Sequence, residues 1–200
     1  MRRPAYFRYF LGFRPNLVQR CWLEKIATAA GQSNRRIRGE YFHLTLFVIA
    51  EPTHQDRFIA ARVRAALAGR ELASCPFWLG RLRGGEKGAA MHAMGRQREI
   101  QDFYRMLLAC LATRGISPLH RKSGLRPHVT LGYDPCAFAP FELPMEWITD
   151  ELLLIESEVG NGVHNVLERW PLLLPAQGTL PFDPPLAPVR AVHNGRRGRR

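Results

Sequence analysis

The tetrapeptide His43-Leu44-Thr45-Leu46 recurs about 85 residues later as His128-Val129-Thr130-Leu131. Side chains alternate across a strand, so each copy offers an imidazole and a hydroxyl on one face and turns two apolar residues to the other. Seven histidines and seven threonines in 200 residues give about a quarter of one His-x-Thr by chance, and the apolar flanks lower that further. Two buried strands whose histidines only satisfy core hydrogen bonds would show the same letters, but such polar pairs are costly inside a protein unless each finds a partner. A shared site is the better reading. Imidazole titrates near neutral pH, so two of them facing one cleft can hold opposite protonation states, one as general base and one as general acid. In-line displacement at phosphorus needs that division, since the entering oxygen loses a proton on one side while the leaving oxygen gains one on the other. Thr45 and Thr130 fall beside their own histidines, where hydroxyls can donate to the non-bridging oxygens. His-x-Thr lacks the carboxylate or thiolate company of a typical metal site, so neither a metal nor another cofactor is expected.

The elements that must position these residues follow from periodicity. Alternation over 5–13 predicts a strand, and the spacing of Leu17, Val18, Cys21, Trp22, Ile26 and Ala29 predicts a helix behind Pro15. A basic loop at 32–40, carrying Arg35, Arg36 and Arg38, leads into the first motif strand at about 42–50. Pro52 then suits the start of a second helix, expected over 53–67. Strands at 75–82 and 89–94 flank a glycine-rich turn, and a helix at 98–113 ends at Gly115. A second basic loop at 117–127, with Arg121, Lys122 and Arg126, delivers the chain to the second motif. After a Pro-interrupted link come strands at 151–158 and 163–173, joined by Gly160-Asn161-Gly162 as a hairpin turn. Both motifs follow a basic loop in a similar strand and helix setting, which suggests a pseudo-two-fold arrangement with a cleft between two halves. Residues 1–175 are expected to form this domain, and the Pro-rich, then Arg-rich segment 176–200 a disordered tail.

An apolar content of 46% supports a packed core. No apolar run approaches the length of a membrane span and the first residues carry charges where a signal peptide needs an apolar stretch, so a cytoplasmic monomer with no membrane contact is expected. Cys21, Cys75, Cys110 and Cys136 form no Cys-x-x-Cys pair and are read as packed thiols. Of the formal charge of +12, seven arginines at the two ends supply seven, leaving about +5 on the rest, which points to a polyanion such as RNA.

The paired motifs, the string Arg126-Pro127-His128-Val129-Thr130-Leu131, the opening Tyr6-Phe7-Arg8-Tyr9-Phe10 strand and the segments Leu154-Ile155-Glu156-Ser157-Glu158 and Val166 to Leu172 resemble the 2H phosphoesterases. The likeness is strongest to their bacterial 2′-5′ RNA ligase and RNA 2′,3′-cyclic phosphodiesterase branch, over roughly 5–174. It implies an α+β fold, bilobal, with antiparallel sheets lining a central cleft and helices outside. It also implies metal-independent hydrolysis of an RNA terminal 2′,3′-cyclic phosphate to a 2′-phosphate. His43 and His128 would be catalytic, His43 as acid towards the 3′ oxygen and His128 as base towards water; Thr45, Thr130 and Arg126 would bind the phosphate. Arg35, Arg36, Arg38, Arg121 and Lys122 are expected to rim the cleft and hold RNA backbone. Tyr133 and His164 are candidates for stacking a base, whereas His92 is expected to be a core histidine and His54, His120 and His193 surface residues. Two alternatives stay open: cleavage or reversible ligation of a 2′-5′ linkage at the same site, and an RNA-binding module that turns nothing over.

Overall fold

The structure is a computed structural model that describes residues 6–119, 124–138 and 140–174; Arg121, Lys122, His120, His193 and the 176–200 segment lie outside the described residues. Strand β1 (Tyr6–Phe13) leads to helix α1 (Leu17–Ala29), whose start is set by a reciprocal cap: the Gln19 amide donates to the Asn16 side chain and the Asn16 amide donates to Gln19 Oε1. A 3-10 turn (Gly39–Tyr41) precedes β2 (Leu44–Ala50), and α2 (Ile59–Leu67) follows it. A hairpin of β3 (Phe77–Gly85) and β4 (Gly88–Ala93) runs into α3 (Arg98–Ala112) and β5 (His128–Gly132). Strands β6 (Phe141–Trp147), β7 (Glu151–Val159) and β8 (Val163–Pro171) follow.

These strands form one antiparallel sheet in the order β6-β3-β4-β5-β2-β1-β7-β8. The two motif strands are central neighbours, each reached by the same path, β1-α1-β2 on one side and β4-α3-β5 on the other. The sheets expected on either side of a cleft are fused, because β2 and β5 pair directly through Leu44 opposite Val129. Leu23 and Ile26 of α1, Val63 and Leu67 of α2, and Phe103 and Leu107 of α3 share one core with Leu11, Leu44, Leu79, Met91 and Val129. Helices α1, α2 and α3 therefore cover the same face of the sheet. On the other face Phe10, Leu153 and Ile155 form a small cluster with Val48 and Val166, and the rest of that face is free to carry polar residues.

In the elements and the cysteines, the sequence expectations depart from the structure at three further places. The link after the second motif contains β6, an edge strand on β3. Pro144 hides it from a sequence reading, since proline cannot donate to a ladder and is tolerated only at an edge or bulge. The register shifts between Leu79 and Arg81, and Gly80 makes room there: a Cβ at this glycine would lie 2.8 Å from Pro144 Cα. Cys21 is exposed on α1, not packed like Cys75 and Cys110. Helix α2 begins at Ile59, because the residues ahead of it are held in another arrangement by a buried carboxylate. Glu156 is 1% exposed. It accepts from Tyr9 Oη at 2.6 Å, Gln55 Nε2 at 3.1 Å and Asn165 Nδ2 at 3.1 Å, while the Asp56 amide donates to Tyr9 Oη at 2.8 Å.

This network ties β1, β7, β8 and the 55–56 segment together. Burial, reinforced by the bond to Glu156, raises the Tyr9 phenol above its ordinary range and keeps it a donor. Tyr9→Phe should leave Glu156 short of one donor and Asp56 short of an acceptor, at a cost of about 1–3 kcal/mol. A lowered urea midpoint with an unchanged slope would show it; an unchanged midpoint would contradict it.

Candidate active site

In an antiparallel pair, Leu44 opposite Val129 sets His43 across from Thr130 and Thr45 across from His128. Leu44 and Val129 are 0% exposed in the helix-covered core, so the two histidines and two threonines, one position away, project from the open face. The local two-fold axis of such a pair exchanges one motif with the other. Two copies that are distant in sequence thus become one four-residue cluster.

The ring orientations are set in the same way on both sides. His43 Nδ1 lies 2.7 Å from the Tyr41 carbonyl oxygen, and His128 Nδ1 lies 2.9 Å from that of Arg126. A carbonyl only accepts, so each Nδ1 carries the proton and donates it, and each neutral ring presents a bare Nε2. Burial pushes His43 down to about 4; the bond to Tyr41 acts the other way, while Arg14, His128 and Arg8 add to the lowering. His43 is therefore neutral across the neutral range.

The walls on the two sides of this cluster differ. On the His43 side a cavity of about 820 Å³ is lined by Phe10, Tyr41, His43, Thr45, Tyr133 and His164, among others. The His164 ring stands edge-on to His43 at 4.9 Å and lies 5.1 Å from Tyr41, so it belongs to the wall beside the first motif. Burial, then the neighbouring His43 and Arg14, lowers it to about 3, and its buried Nδ1 has no partner among the described residues. On the His128 side a smaller cavity of about 230 Å³ contains Arg126, which is thereby placed beyond His128 and not in the larger cavity with Thr45. His92 is also there, not in the core: its strand position pairs with that of His128, and the two rings stack at 5.5 Å. The alternation of β4 sends Ala89 and Met91 inward and His92 outward, a pattern legible in the sequence once the hairpin register is known.

No protein-family profile and no curated protein matches the chain. Solved structures do. A crystal structure of a phosphoesterase aligns over 84% of this chain and 98% of its own, with a TM-score of 0.62 and 19% identity. LigT of E. coli in its apo form aligns over the same shares at a TM-score of 0.63 and 18% identity, and LigT has also been crystallised with 3′-AMP and with phosphate. TT0787 of Thermus thermophilus aligns over 82% of this chain and 97% of its own, at 0.56 and 20%. The chain has the LigT fold.

Within the LigT fold of this chain, the loop before the first motif is fastened to the end of the second. Asp134 accepts from the amides of Ser33 at 2.7 Å and Arg35 at 3.0 Å, and these bonds hold its carboxylate below the usual range. Gln32 Nε2 donates to the Asp134 carbonyl, the Asp134 amide donates to Gln32 Oε1, and the Tyr133 amide donates to the Arg35 carbonyl. Gly132 is needed for this approach, since a Cβ there would sit 2.4 Å from Gln32 Oε1 and 3.1 Å from Arg36 Cα. Asp134 carried no sequence pattern that linked it to residues a hundred positions earlier. The clamp brings Arg35 over the Tyr133 ring at 5.8 Å, and Arg38 stacks over Tyr41 at 4.5 Å, at the cavity rim. Arg36 also lines the larger cavity, and its guanidinium is anchored to α1, donating to Thr28 Oγ1 and the Glu24 carbonyl. Phe42 is fully buried in the core.

Among the described residues, no three His, Cys, Asp or Glu side chains gather as metal ligands, and no helix is long and apolar enough to cross a membrane. The clamp gives a direct expectation. Asp134→Ala should release the Arg35–Tyr133 rim, leaving the His43 and His128 pair in place, so amide exchange at Ser33 and Arg35 should quicken while exchange at Leu44 and Val129 stays slow. Unchanged exchange at both loop amides would remove Asp134 from this role. The same loosening is expected in the unmodified protein as pH falls below the ordinary carboxylate range, because a carboxylate held low stays ionised through that range and loses its contribution only as it protonates beneath it.

Proposed function

We propose that this protein is a 2H phosphoesterase that hydrolyses an RNA terminal 2′,3′-cyclic phosphate to a 2′-phosphate. The observation that carries the reading is the Leu44–Val129 pairing, with two Nε2 atoms and two hydroxyls on one open face. Support comes from the fold, which in LigT accommodates phosphate and 3′-AMP. It comes also from the pair of carbonyl-bound rings, each committed to a single exchanging nitrogen.

In this reading one Nε2 takes a proton from water as its oxygen attacks phosphorus. The bond from phosphorus to the 3′ oxygen breaks opposite, and the second imidazole, protonated, gives its Nε2 proton to that oxygen. Atoms balance: one water is added, and the products are a 2′-phosphate and a 3′-hydroxyl. Thr45 and Thr130, each across from the other motif's histidine, donate to the non-bridging oxygens where charge builds. The His164 ring, in the cavity wall beside His43, is available to stack on a base. The resemblance assigns His43 as acid and His128 as base, but burial favours the reverse. A base must be neutral in the free enzyme, and His43 at about 4 is so held. His128 then protonates the leaving oxygen.

Turnover of a short RNA ending in a 2′,3′-cyclic phosphate should persist in EDTA and yield a 2′-phosphate. His43→Ala and His128→Ala should each lower kcat by about 10²–10⁴ with the fold intact. Retained turnover in either would remove the two-histidine mechanism. Cleavage of a 2′-5′ dinucleotide with no action on the cyclic end would shift the substrate, and tight, steeply salt-dependent RNA binding without any turnover would leave a binding module.

The acid and base assignment has its own test. The profile of kcat/KM reports ionisations of the free enzyme. With His43 as base, kcat/KM rises as pH passes upward through about 4, where that ring loses its proton. A profile that falls through the same pH would make His43 the acid.

A further inference from the structure

The cavity beyond His128 has no part in the chemistry just described, and its composition is one-sided. It is lined by Arg81, Arg83, Arg96 and Arg126 together with His92 and Gln101. Arg81 is held by Glu142 at 2.7 Å. Among the described residues Arg83, Arg96 and Arg126 have no acidic partner, although ion pairs occupy Arg8, Arg98, Arg105 and Arg169 elsewhere. Gathering three unpaired guanidinium groups around one concavity raises their mutual repulsion, which an anion relieves.

The register ties this concavity to the motif cluster. One cross-strand row of the open face runs Glu142, Arg81, His92, His128, and the next runs Arg83, Ala90, Thr130. Arg83 is thus two strand spacings, about 10 Å, from Thr130, with only the small Ala90 between. A phosphate beside Thr130 and a second one held by Arg83 would stand within the span of one nucleotide and an arginine side chain. His92 stacks on His128 and is lowered to about 4 by burial first and by His128 and the arginines after, so it adds a neutral floor.

We propose that this arginine-lined cavity is a subsite for the second phosphate of an RNA end, the phosphodiester one nucleotide 5′ of the reacting phosphate. Guanidinium groups take phosphate oxygens through paired, charge-assisted bonds, which suits this lining better than a neutral ligand. The aromatic wall of Phe10, Tyr41 and His164 then lies on the opposite side of the motif cluster, available to the terminal nucleoside. The enzyme would prefer an RNA end to a mononucleotide.

The inference rests on the phosphoesterase reading, and two substrates separate their fates: a nucleoside 2′,3′-cyclic phosphate, and a dinucleotide with the same cyclic end and one internal phosphodiester. In the doubly substituted Arg83→Ala, Arg96→Ala protein, both positions being exposed, KM for the dinucleotide should rise about tenfold with kcat held. KM for the mononucleotide should stay within about twofold. The slope of log KM against log salt for the dinucleotide should lessen by about 0.7, the contribution of one neutralised phosphate on a single strand. Equal changes for both substrates, or none for the dinucleotide, would overturn the subsite while leaving the phosphoesterase reading standing. If the unmodified protein turns over neither substrate, that reading fails. The subsite is then judged by equilibrium binding of a dinucleotide ending in a 3′-phosphate against a 3′-mononucleotide: a tenfold loss confined to the dinucleotide in the double variant supports it, and no such difference overturns it.

Discussion

One residue pair, Leu44 opposite Val129, carries the organisation of the molecule. Because side chains alternate along a strand, a slip of one residue in either motif strand would send its histidine and threonine into the core and its leucine or valine to the open face. Leu44, Leu46, Val129 and Leu131 are all buried. At roughly 1.5–3 kcal/mol for each fully buried apolar side chain, exposing one strand's pair would cost a large share of the roughly 5–15 kcal/mol that holds an ordinary domain folded. Packing thus enforces the register, and the register places the polar cluster. The site needs no separate scaffold.

The same pairing sets the two motifs in like positions on the sheet, whereas the proposed division into acid and base needs them unequal. The inequality is supplied by what lies against each ring. His43 is set among Phe10, Tyr41 and His164, where the loss of hydration disfavours its charged form. His128 sits against His92 with an arginine-lined concavity beside it. Placing α1, α2 and α3 on one face is what leaves room for these contrasting walls on the other. Unlike surroundings are a general way to part the behaviour of two like groups.

Much of this was legible in the chain because it depends on local alternation. The doubled motif, the strand and helix order around it and the apolar faces of α1 and α3 all follow from spacing. What escaped depends on contacts distant in sequence. Pro144 masks β6 because its tolerance requires both an edge position and Gly80 across from it, some 64 residues away. The late start of α2 reflects Tyr9 and Glu156 competing for the 55–56 backbone and side chains. Arg36 reads as a cleft cation and does line the cavity, but its anchoring to a hydroxyl and a carbonyl of α1 depends on contacts that spacing does not show. His92 reads as core because its neighbours Met91 and Met94 are apolar, while the hairpin register turns it outward to His128.

The clamp between Gln32, Ser33, Arg35 and Asp134 bears on whether the two halves of the fold act as separate lobes. The loop that orders the rim of the first motif takes its hydrogen bonds from residues just past the second, and Ile37 donates to the Leu131 carbonyl in the same stretch. Docking β5 against β2 therefore does two things at once: it completes the four-residue cluster and it fixes the loop over the larger cavity. A chain in which only one half had folded would have neither. The rim is ordered only where β5 has docked on β2, so its order depends on the same central strand pair that assembles the four-residue cluster, whereas the cluster does not depend on the rim.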